Sequence, residues 1–286
     1  MKWRNRRTSD NIEDRRAAGG AKVTKKLGGI SVLLITLGAM YFGVDPKIIF
    51  GLLDNTGIGQ STSVQQSPYR PSAEQQQLAE FTGVVLADTE DTWNTVFQQQ
   101  GMSYQEPKLV LFTNKVQSAC GHAEAAMGPF YCPGDHKVYI DLGFYQQLKT
   151  QHNAPGDFAQ AYVIAHEVGH HVQTLLGISQ EVRKVQQGLS PAQANQLSVK
   201  LELQADCFAG LWANHTEKSR HILEQGDIEE ALNAASAIGD DRLQKEARGY
   251  ATPESFTHGT SEQRVKWFKQ GFTEGTIEGC NTFQDL

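Results

Sequence analysis

Apolar residues recur at intervals of three and four over several long stretches of the chain, which is the spacing of amphipathic helices. The clearest case is residues 73–100, whose shared apolar face would carry Leu78, Phe81, Val85, Thr92, Trp93 and Val96. The same spacing predicts further helices over residues 157–176, 191–214, 227–247 and about 261–272. Suitable helix starts are Asp157, Ser190 and Ser261 as N-caps and Pro191 as a first helical residue.

Two short segments have the β-branched and aromatic content of strands. Lys108–Phe112 reads KLVLF, and Lys137–Asp141 reads KVYID after a Pro-Gly turn at residues 133–134. With few strands among many helices, the sequence predicts an α+β fold that is mostly helical with a small sheet.

An uncharged run of eighteen residues lies near the start, from Leu27 to Val44. It is long enough to cross a bilayer as a helix, and no amphipathic period argues for a buried core helix instead. A cleaved signal peptide is the other alternative, but 26 residues precede the run and no A-x-A site follows it. We therefore predict a retained transmembrane anchor over residues 27–44.

The charges on either side of this run predict its orientation. Residues 1–26 hold nine Lys and Arg against three Asp and Glu, so they should be cytoplasmic, with everything after Asp45 outside. In a Gram-negative cell that compartment is the periplasm. Residues 45–72 are rich in Gly, Ser, Gln and Pro and predict a flexible linker, which leaves residues 73–286 as the folded domain.

The remaining composition narrows the class of protein. A net charge of −6 argues against nucleic acid as a partner. The even number of cysteines (Cys120, Cys132, Cys207 and Cys280) suggests two disulfides in an oxidising compartment. Cys120 with Cys132 would close the shortest loop, whereas for Cys207 a buried free thiol is a strong alternative.

The main chemical signal is the segment His166-Glu167-Val168-Gly169-His170 within a predicted helix. Histidines at positions i and i+4 project from one face, so both imidazoles can bind one Zn²⁺ ion, and Glu167 beside them can act as a general base. The motif also arises by chance, but here it is embedded in apolar residues, which an exposed pair of histidines would not need.

A third ligand is available on another predicted helix, in the segment LELQAD. Glu202 and Asp206 share one face there, and their apolar neighbours make an unpaired carboxylate costly. We predict that Glu202 binds the zinc and that Asp206 hydrogen-bonds a ligand imidazole. Asp206 as the direct ligand is the alternative.

Three further features have weaker signals. His258 lies in a glycine-bearing loop, mobile enough to reach over a site, where it could stabilise an oxyanion; an ordinary loop histidine is the alternative. His171 should be a packing residue or a support for a ligand. The KVYID segment could be an edge strand to which an extended peptide adds.

Five longer stretches carry a family resemblance: SACGHAEAAMGPFYCPGDHKVYID, PGDFAQAYVIAHEVGHHVQ, LELQADCFAG, GDIEEALNAASAIGDDR and SFTHGTSEQRVKWF. Over about residues 75–280 the chain resembles the bacterial neutral zinc metallopeptidases of the YpfJ type. The resemblance implies a zinc-dependent peptidase with a membrane-anchored N-terminus, here in the bacterial inner membrane.

More distantly, the chain is similar to the HtpX class of gluzincin peptidases. The similarity implies a zincin-like (gluzincin) domain with Glu202 as the third ligand and His258 as the oxyanion stabiliser. The chain departs from that class in having Gly259, not proline, after His258.

These observations predict a membrane-anchored zinc endopeptidase that hydrolyses internal peptide bonds of periplasmic or envelope polypeptides. Two alternatives remain: a membrane-tethered binding or scaffold protein that keeps zinc for stability, and a zinc amidase acting on cell-wall material. Glu167 argues against the scaffold, because a structural zinc site does not use such a carboxylate.

Overall fold

In this computed structural model the described residues are 1–17, 70–150, 154 and 156–284. They contain eight α-helices. The first four are α1 (Ala73–Gln99), α2 (Gly143–Thr150), α3 (Asp157–Leu175) and α4 (Ile178–Gln186). The others are α5 (Pro191–Arg220), α6 (Asp227–Ala237), α7 (Asp240–Arg248) and α8 (Ser261–Glu274). The mostly helical α+β fold with a small sheet is therefore confirmed.

The strands form one four-stranded sheet and one hairpin. They are β1 (Ile12–Asp14), β2 (Lys108–Phe112), β3 (Lys115–Ser118), β4 (Gly121–Glu124), β5 (Phe130–Cys132) and β6 (Lys137–Asp141). The sheet has the order β1-β2-β6-β5, with β5 antiparallel to β6 and the other neighbours parallel. The prediction that KVYID is an edge strand is wrong, because β6 is paired on both sides and β5 forms that edge.

The predicted helix over residues 227–247 is interrupted at Gly239, between α6 and α7. A Cβ atom at Gly239 would lie 2.4 Å from the backbone nitrogen of Ser261. Any other residue would therefore clash with the start of α8. The break between α6 and α7 therefore coincides with a contact to a distant part of the chain. The local sequence pattern does not reveal this contact.

Two of the three predicted N-caps are displaced by one residue. Ser190 caps α5 as predicted, but Gly156 precedes α3 and Thr260 caps α8, accepting from the backbone N–H of Gln263. Asp157 and Ser261 are thus the first helical residues rather than the caps.

Helix α3 is the central element of the core, and it lies unusually close to α5. A Cβ atom at Gly169 would approach the backbone of Ala205 to 3.1 Å. Helices α5 and α8 are closer still, since a Cβ at Gly271 would lie 1.9 Å from the carbonyl oxygen of Cys207. These glycines let three backbones meet where a larger residue would separate them.

Two disulfides join parts of this structure. Cys120 bonds to Cys132 and ties the β3–β4 hairpin to the edge strand β5. Cys207 bonds to Cys280 and ties α5 to the C-terminal segment. Cys207 is therefore bridged and not a free thiol.

The first 17 residues belong to the folded domain, which differs from the predicted boundary at residue 73. Strand β1 pairs with β2, Trp3 packs edge-on against Phe81 at 5.4 Å, and Arg6 contacts both carboxylate oxygens of Asp88 at 2.6 and 2.7 Å. Residues 1–17 are therefore part of the same sheet and core as the rest of the domain. The predicted separation of residues 1–26 from the domain is thus wrong for residues 1–17, because the charge count could not reveal their partners.

The predicted anchor at residues 27–44 lies outside the described residues, as does most of the predicted linker at 45–72. Within the described part of the chain, no helix is long and apolar enough to cross a membrane.

Candidate metal centre

Helix α3 positions three of the predicted site residues. His166 and His170 lie one turn apart on the same face, with ring centroids 4.8 Å apart, and Glu167 lies beside them. His166 and Glu167 are only 6% and 8% exposed, because the rest of the helix is packed in the core. The helix therefore holds both imidazoles rigidly at the wall of one cavity.

Helix α5 brings Glu202 to the same point. Its carboxylate oxygens lie 3.2 Å from Nε2 of His166 and 3.4 Å from Nε2 of His170. One ligand atom from each of the three side chains lies within 4.8 Å of the other two. Two imidazole nitrogens and one carboxylate oxygen form a ligand set that suits zinc and leaves a fourth position for water or substrate.

Asp206 lies on the opposite side of the first imidazole. Its Oδ1 is 2.9 Å from Nδ1 of His166, the ring nitrogen that points away from Glu202. Tyr162 also donates its hydroxyl proton to this oxygen. The alternative in which Asp206 binds the metal directly receives no support, because this carboxylate already contacts the far nitrogen of a ligand ring.

The buried Arg264 of α8 completes this network. Its Nε and Nη2 atoms lie 2.8 and 2.9 Å from the two carboxylate oxygens of Asp206, and both side chains are almost fully buried. The sequence analysis did not identify Arg264 or Tyr162, and the only available signal was the helical position of Tyr162, four residues before His166.

His170 has a different support. Its Nδ1 lies 2.9 Å from Oε1 of Gln173, and the amide of Gln173 donates to the backbone oxygen of Leu201 at 2.7 Å. Gln173 is not among the residues predicted for the site. Its spacing of three from His170 on one helix was the signal that it could contact that ring.

Electrostatics at the centre favour a cation. Burial lowers the pKa of His166, but the charge of Asp206 and hydrogen bonds with Asp206 and Glu202 outweigh it and raise the pKa to about 10. Burial similarly opposes protonation of His170, whose pKa is nevertheless raised by Glu202. Burial would raise the pKa of Glu202, yet the two histidines hold it well below its usual value. The carboxylates thus attract positive charge to the point where the three ligands meet, and a divalent ion fits it.

His258 lines the same cavity, at the end of a loop that is firmly held. Asp240 accepts backbone N–H groups from Thr257, His258 and Gly259 at 2.7, 2.6 and 3.2 Å, and its other oxygen lies 3.2 Å from Nδ1 of His258. These hydrogen bonds connect the loop to the start of α7. The hydrogen bond with Asp240 raises the pKa of His258 despite the opposing effect of burial. Asp240 was missed by the sequence analysis because it belongs to a different helix.

His171 points away from the metal ligands. It is fully buried, lies 2.6 Å from the backbone oxygen of Gln105, and packs edge-on against Tyr104 and Tyr131. Burial lowers its pKa to about 4. It is a packing residue, one of the two roles predicted for it.

A second carboxylate group lies at the start of α3 and consists of Asp157, Asp227 and Glu230. The Met1 ammonium group is 2.7 Å from Asp157 and 3.3 Å from Asp227, and Glu230 accepts the backbone N–H of Phe158. These carboxylates therefore have positive or N–H partners in place of a metal ion.

A cavity of about 560 Å³ opens beside the metal centre. Glu167 faces it, and no other described residue hydrogen-bonds to its carboxylate. An almost buried carboxylate without a partner among the described residues is suited to accept a proton from a small molecule in the cavity.

The fold and the site define a class: a mostly helical α+β protein with a metal centre of two histidines and one carboxylate, next to an acid–base residue. The chain belongs to the family described as "Putative neutral zinc metallopeptidase", whose model matches residues 1–283. Zinc is the cofactor that this family implies, in agreement with the ligand set. The match includes the N-terminal segment that packs on the domain.

Two relatives show the extent of the similarity. The chain is 51% identical to the uncharacterized protein YpfJ of Escherichia coli (strain K12) over 291 residues, 99% of both chains. It is 38% identical to an uncharacterized protein of Mycobacterium tuberculosis (strain H37Rv) over 260 residues, 86% of this chain and 85% of the relative. No solved structure matches the chain. The distant similarity to the HtpX class stays a prediction.

Proposed function

We propose that this protein is a zinc-dependent endopeptidase acting on polypeptides of the bacterial envelope. The observation that carries the proposal is the Glu202 carboxylate, which lies 3.2 and 3.4 Å from the Nε2 atoms of His166 and His170 beside the cavity that Glu167 faces. These three side chains would hold the zinc. When bound, zinc polarises a substrate carbonyl and lowers the pKa of a water molecule.

Glu167 would act as the general base. Its carboxylate accepts a proton from the attacking water and later passes it to the leaving amine. A base near the metal ligands, with no competing hydrogen bond from the described residues, can do this without breaking a contact seen in this structure.

The surrounding residues would orient the ligands. Asp206 accepts the Nδ1 proton of His166, which leaves Nε2 with its lone pair toward the metal. Gln173 does the same for His170 through its amide oxygen. His258, held by Asp240, would donate to the negative charge that develops on the carbonyl oxygen during attack.

Charges in the cavity favour cleavage within a chain rather than at its ends. Among the described residues that line it, the charged side chains other than histidines are Glu167, Glu202 and Arg264. The first two serve the zinc centre in this proposal, and Arg264 is bound to Asp206. The lining histidines are likewise assigned to the zinc centre or to the oxyanion, so the described lining residues leave no charge for the terminal amine or carboxylate that an exopeptidase must recognise.

The edge strand β5 offers a place for the substrate backbone. Phe130 and Tyr131 of this strand line the cavity, and the sheet continues away from the site through β6. An extended polypeptide could pair with this edge, which no other described strand occupies, and run past the metal.

The envelope location rests on the two disulfides, which are typical of oxidising compartments. Membrane attachment through residues 27–44 stays a prediction. Because β1 lies in the same sheet as β2, the proposal does not include a crossing that separates residues 1–17 from the domain.

The test measures zinc content and cleavage of an unfolded protein by the full chain, in parallel with Glu167→Gln and Glu202→Gln. We expect one zinc per chain in the unchanged protein and in Glu167→Gln, and loss of zinc in Glu202→Gln. Only the unchanged protein should cleave the substrate. Glu181→Gln, on the exposed face of α4, is the matched control and should behave like the unchanged protein. Unimpaired cleavage by Glu167→Gln would contradict its role as base. Zinc without cleavage in the unchanged protein would favour the scaffold.

A further inference from the structure

The cavity beside the zinc centre has an apolar wall that the proposed chemistry does not use. This wall contains Met127 from the turn after β4, Phe144 from α2 and Val163 from α3. Ile238 and Leu243 from the α6–α7 corner also line the cavity. The reacting groups need none of these five side chains.

The apolar wall is directly beside the proposed base. Val163 lies four residues before Glu167 on α3, so the two side chains point the same way, one turn apart. Val163 is only 5% exposed, so it presents a fixed surface. A substrate side chain next to the scissile bond would therefore meet this wall.

The wall is also held in place. A Cβ atom at Gly128 would lie 3.7 Å from the Phe144 ring, which shows that the turn after β4 rests against α2. The disulfide between Cys120 and Cys132 ties the β3–β4 hairpin to β5, on either side of this turn. A fixed wall can select among side chains, whereas a mobile one would adapt to them.

Met127 differs from its neighbours because its side chain remains uncovered. It is 70% exposed, the highest value among the exposed large apolar residues of the described chain. An exposed methionine at the mouth of a cavity is suited to cover an incoming apolar side chain.

The described residues of the apolar wall carry no charge, and this supports the same conclusion. Among the described lining residues, charged side chains occur only at the zinc centre and its supporting network. A Lys, Arg, Asp or Glu of the substrate would lose its hydration here without gaining a partner.

We propose that Met127, Phe144, Val163, Ile238 and Leu243 make the protein select a large uncharged apolar side chain beside the scissile bond. This inference rests on the proposed peptidase function and adds its substrate class. Because such side chains are mostly buried in folded proteins, the preferred substrates would be unfolded or unstructured segments.

The test uses the zinc-loaded full chain and a set of internally quenched peptides that differ only in the residues flanking the central bond. We expect kcat/KM to be at least about tenfold higher with Phe or Leu than with Asp, Lys or Gly. Met127→Lys should reduce the ratio of Phe to Asp cleavage by about tenfold, because it places a cation where the apolar side chain would lie. Met102→Lys, at another exposed methionine away from the cavity, should leave the ratio unchanged.

Binding of the same peptides to zinc-loaded Glu167→Gln measures the preference without turnover. Tighter binding of Phe and Leu peptides would support the proposal even if the unchanged protein cleaved none of them, an outcome that would contradict only the peptidase function. Equal binding and equal cleavage of apolar and charged peptides would overturn the proposal. An unchanged ratio in folded, zinc-loaded Met127→Lys would exclude Met127 from the selecting wall.

Discussion

Arg264 donates to both carboxylate oxygens of Asp206, with distances of 2.8 and 2.9 Å, and both side chains are almost completely excluded from solvent. This pair joins α8 to α5 directly behind the ligand His166. It keeps Asp206 charged in an environment that would otherwise protonate it, since burial raises and Arg264 lowers the pKa of this carboxyl group. The orientation of His166 therefore depends on an ion pair that does not itself contact the metal.

Arg264→Ala should strongly destabilise the protein, because it leaves the carboxylate of Asp206 buried without its main partner. Losing one member of a buried ion pair costs about 3–5 kcal/mol. Urea unfolding of the zinc-free protein measures this loss, and chelator competition should show weaker zinc binding. Arg183→Ala, at an exposed position of α4, is the control and should change the free energy of unfolding little. An unchanged unfolding midpoint for Arg264→Ala would show that the ion pair contributes no net stability.

Asp240→Asn should move the alkaline limb of the pH profile of kcat/KM to lower pH. Asp240 raises the pKa of His258, so the charged imidazole persists above its ordinary pKa of 6.5, and its contribution is lost as pH rises through the higher value. Asparagine can still accept backbone N–H groups but has no charge, so this pKa should fall. A companion His258→Gln variant should lose the limb. If Asp240→Asn leaves the limb in place, another group produces it.

Gly169→Ala should weaken zinc binding by separating α3 from α5. The added Cβ would lie 3.1 Å from the backbone of Ala205, in the part of α5 that carries Glu202, and such overpacking costs about 1–3 kcal/mol. Zinc affinity and thermal unfolding measure the two effects. Gly188→Ala is the matched control, because no atom lies within 4 Å of its added Cβ. Equal zinc affinity in both variants would mean that the helices can adjust without moving Glu202.

Arg6→Ala should destabilise the domain, although residue 6 lies far from the metal in sequence. Arg6 is bound through two nitrogens to Asp88, and the loss of hydrogen bonds to a charged group costs about 1.5–3 kcal/mol. The unfolding midpoint in urea measures the change. Arg4→Ala, at an exposed position of the same segment, should have a smaller effect. Equal, negligible effects in both would indicate that residues 1–17 add little to stability.

The site shows which features local sequence can predict. The two histidines and Glu167 share a helix, so the 3.6-residue period alone places them on one wall. Glu202 was predicted from its helical spacing to Asp206 and from apolar neighbours that make an isolated carboxylate costly. By contrast, Arg264 and Asp240 act through contacts with other helices, and no period within their own helices indicates a partner.

The fold shows the same division. Helices α1 and α3 and strands β2 and β6 were predicted nearly to the residue, because their apolar periods are long and local. The start of α5 was predicted correctly, but the helix continues to Arg220, six residues beyond the predicted end. Strand β5 has only three residues, and β1 lies in a segment dominated by basic residues. Their strand conformation depends on pairing with β6 and β2, which the sequence pattern does not reveal. This one cause explains both the incorrect choice of edge strand and the incorrect separation of the N-terminal segment.

The sequence by itself determined the helical class of the fold, the two histidines and the base, and the chemistry of the metal, because these depend on residue type and helical spacing. Only the tertiary structure decided that Glu202 meets both imidazoles, that Arg264 and Asp240 support the site, and that residues 1–17 complete the sheet. These contacts join positions separated by tens of residues. They require glycines that allow α3, α5 and α8 to approach one another, and strand edges that pair with other strands. The free energy of such packing depends on the whole fold rather than on any local segment.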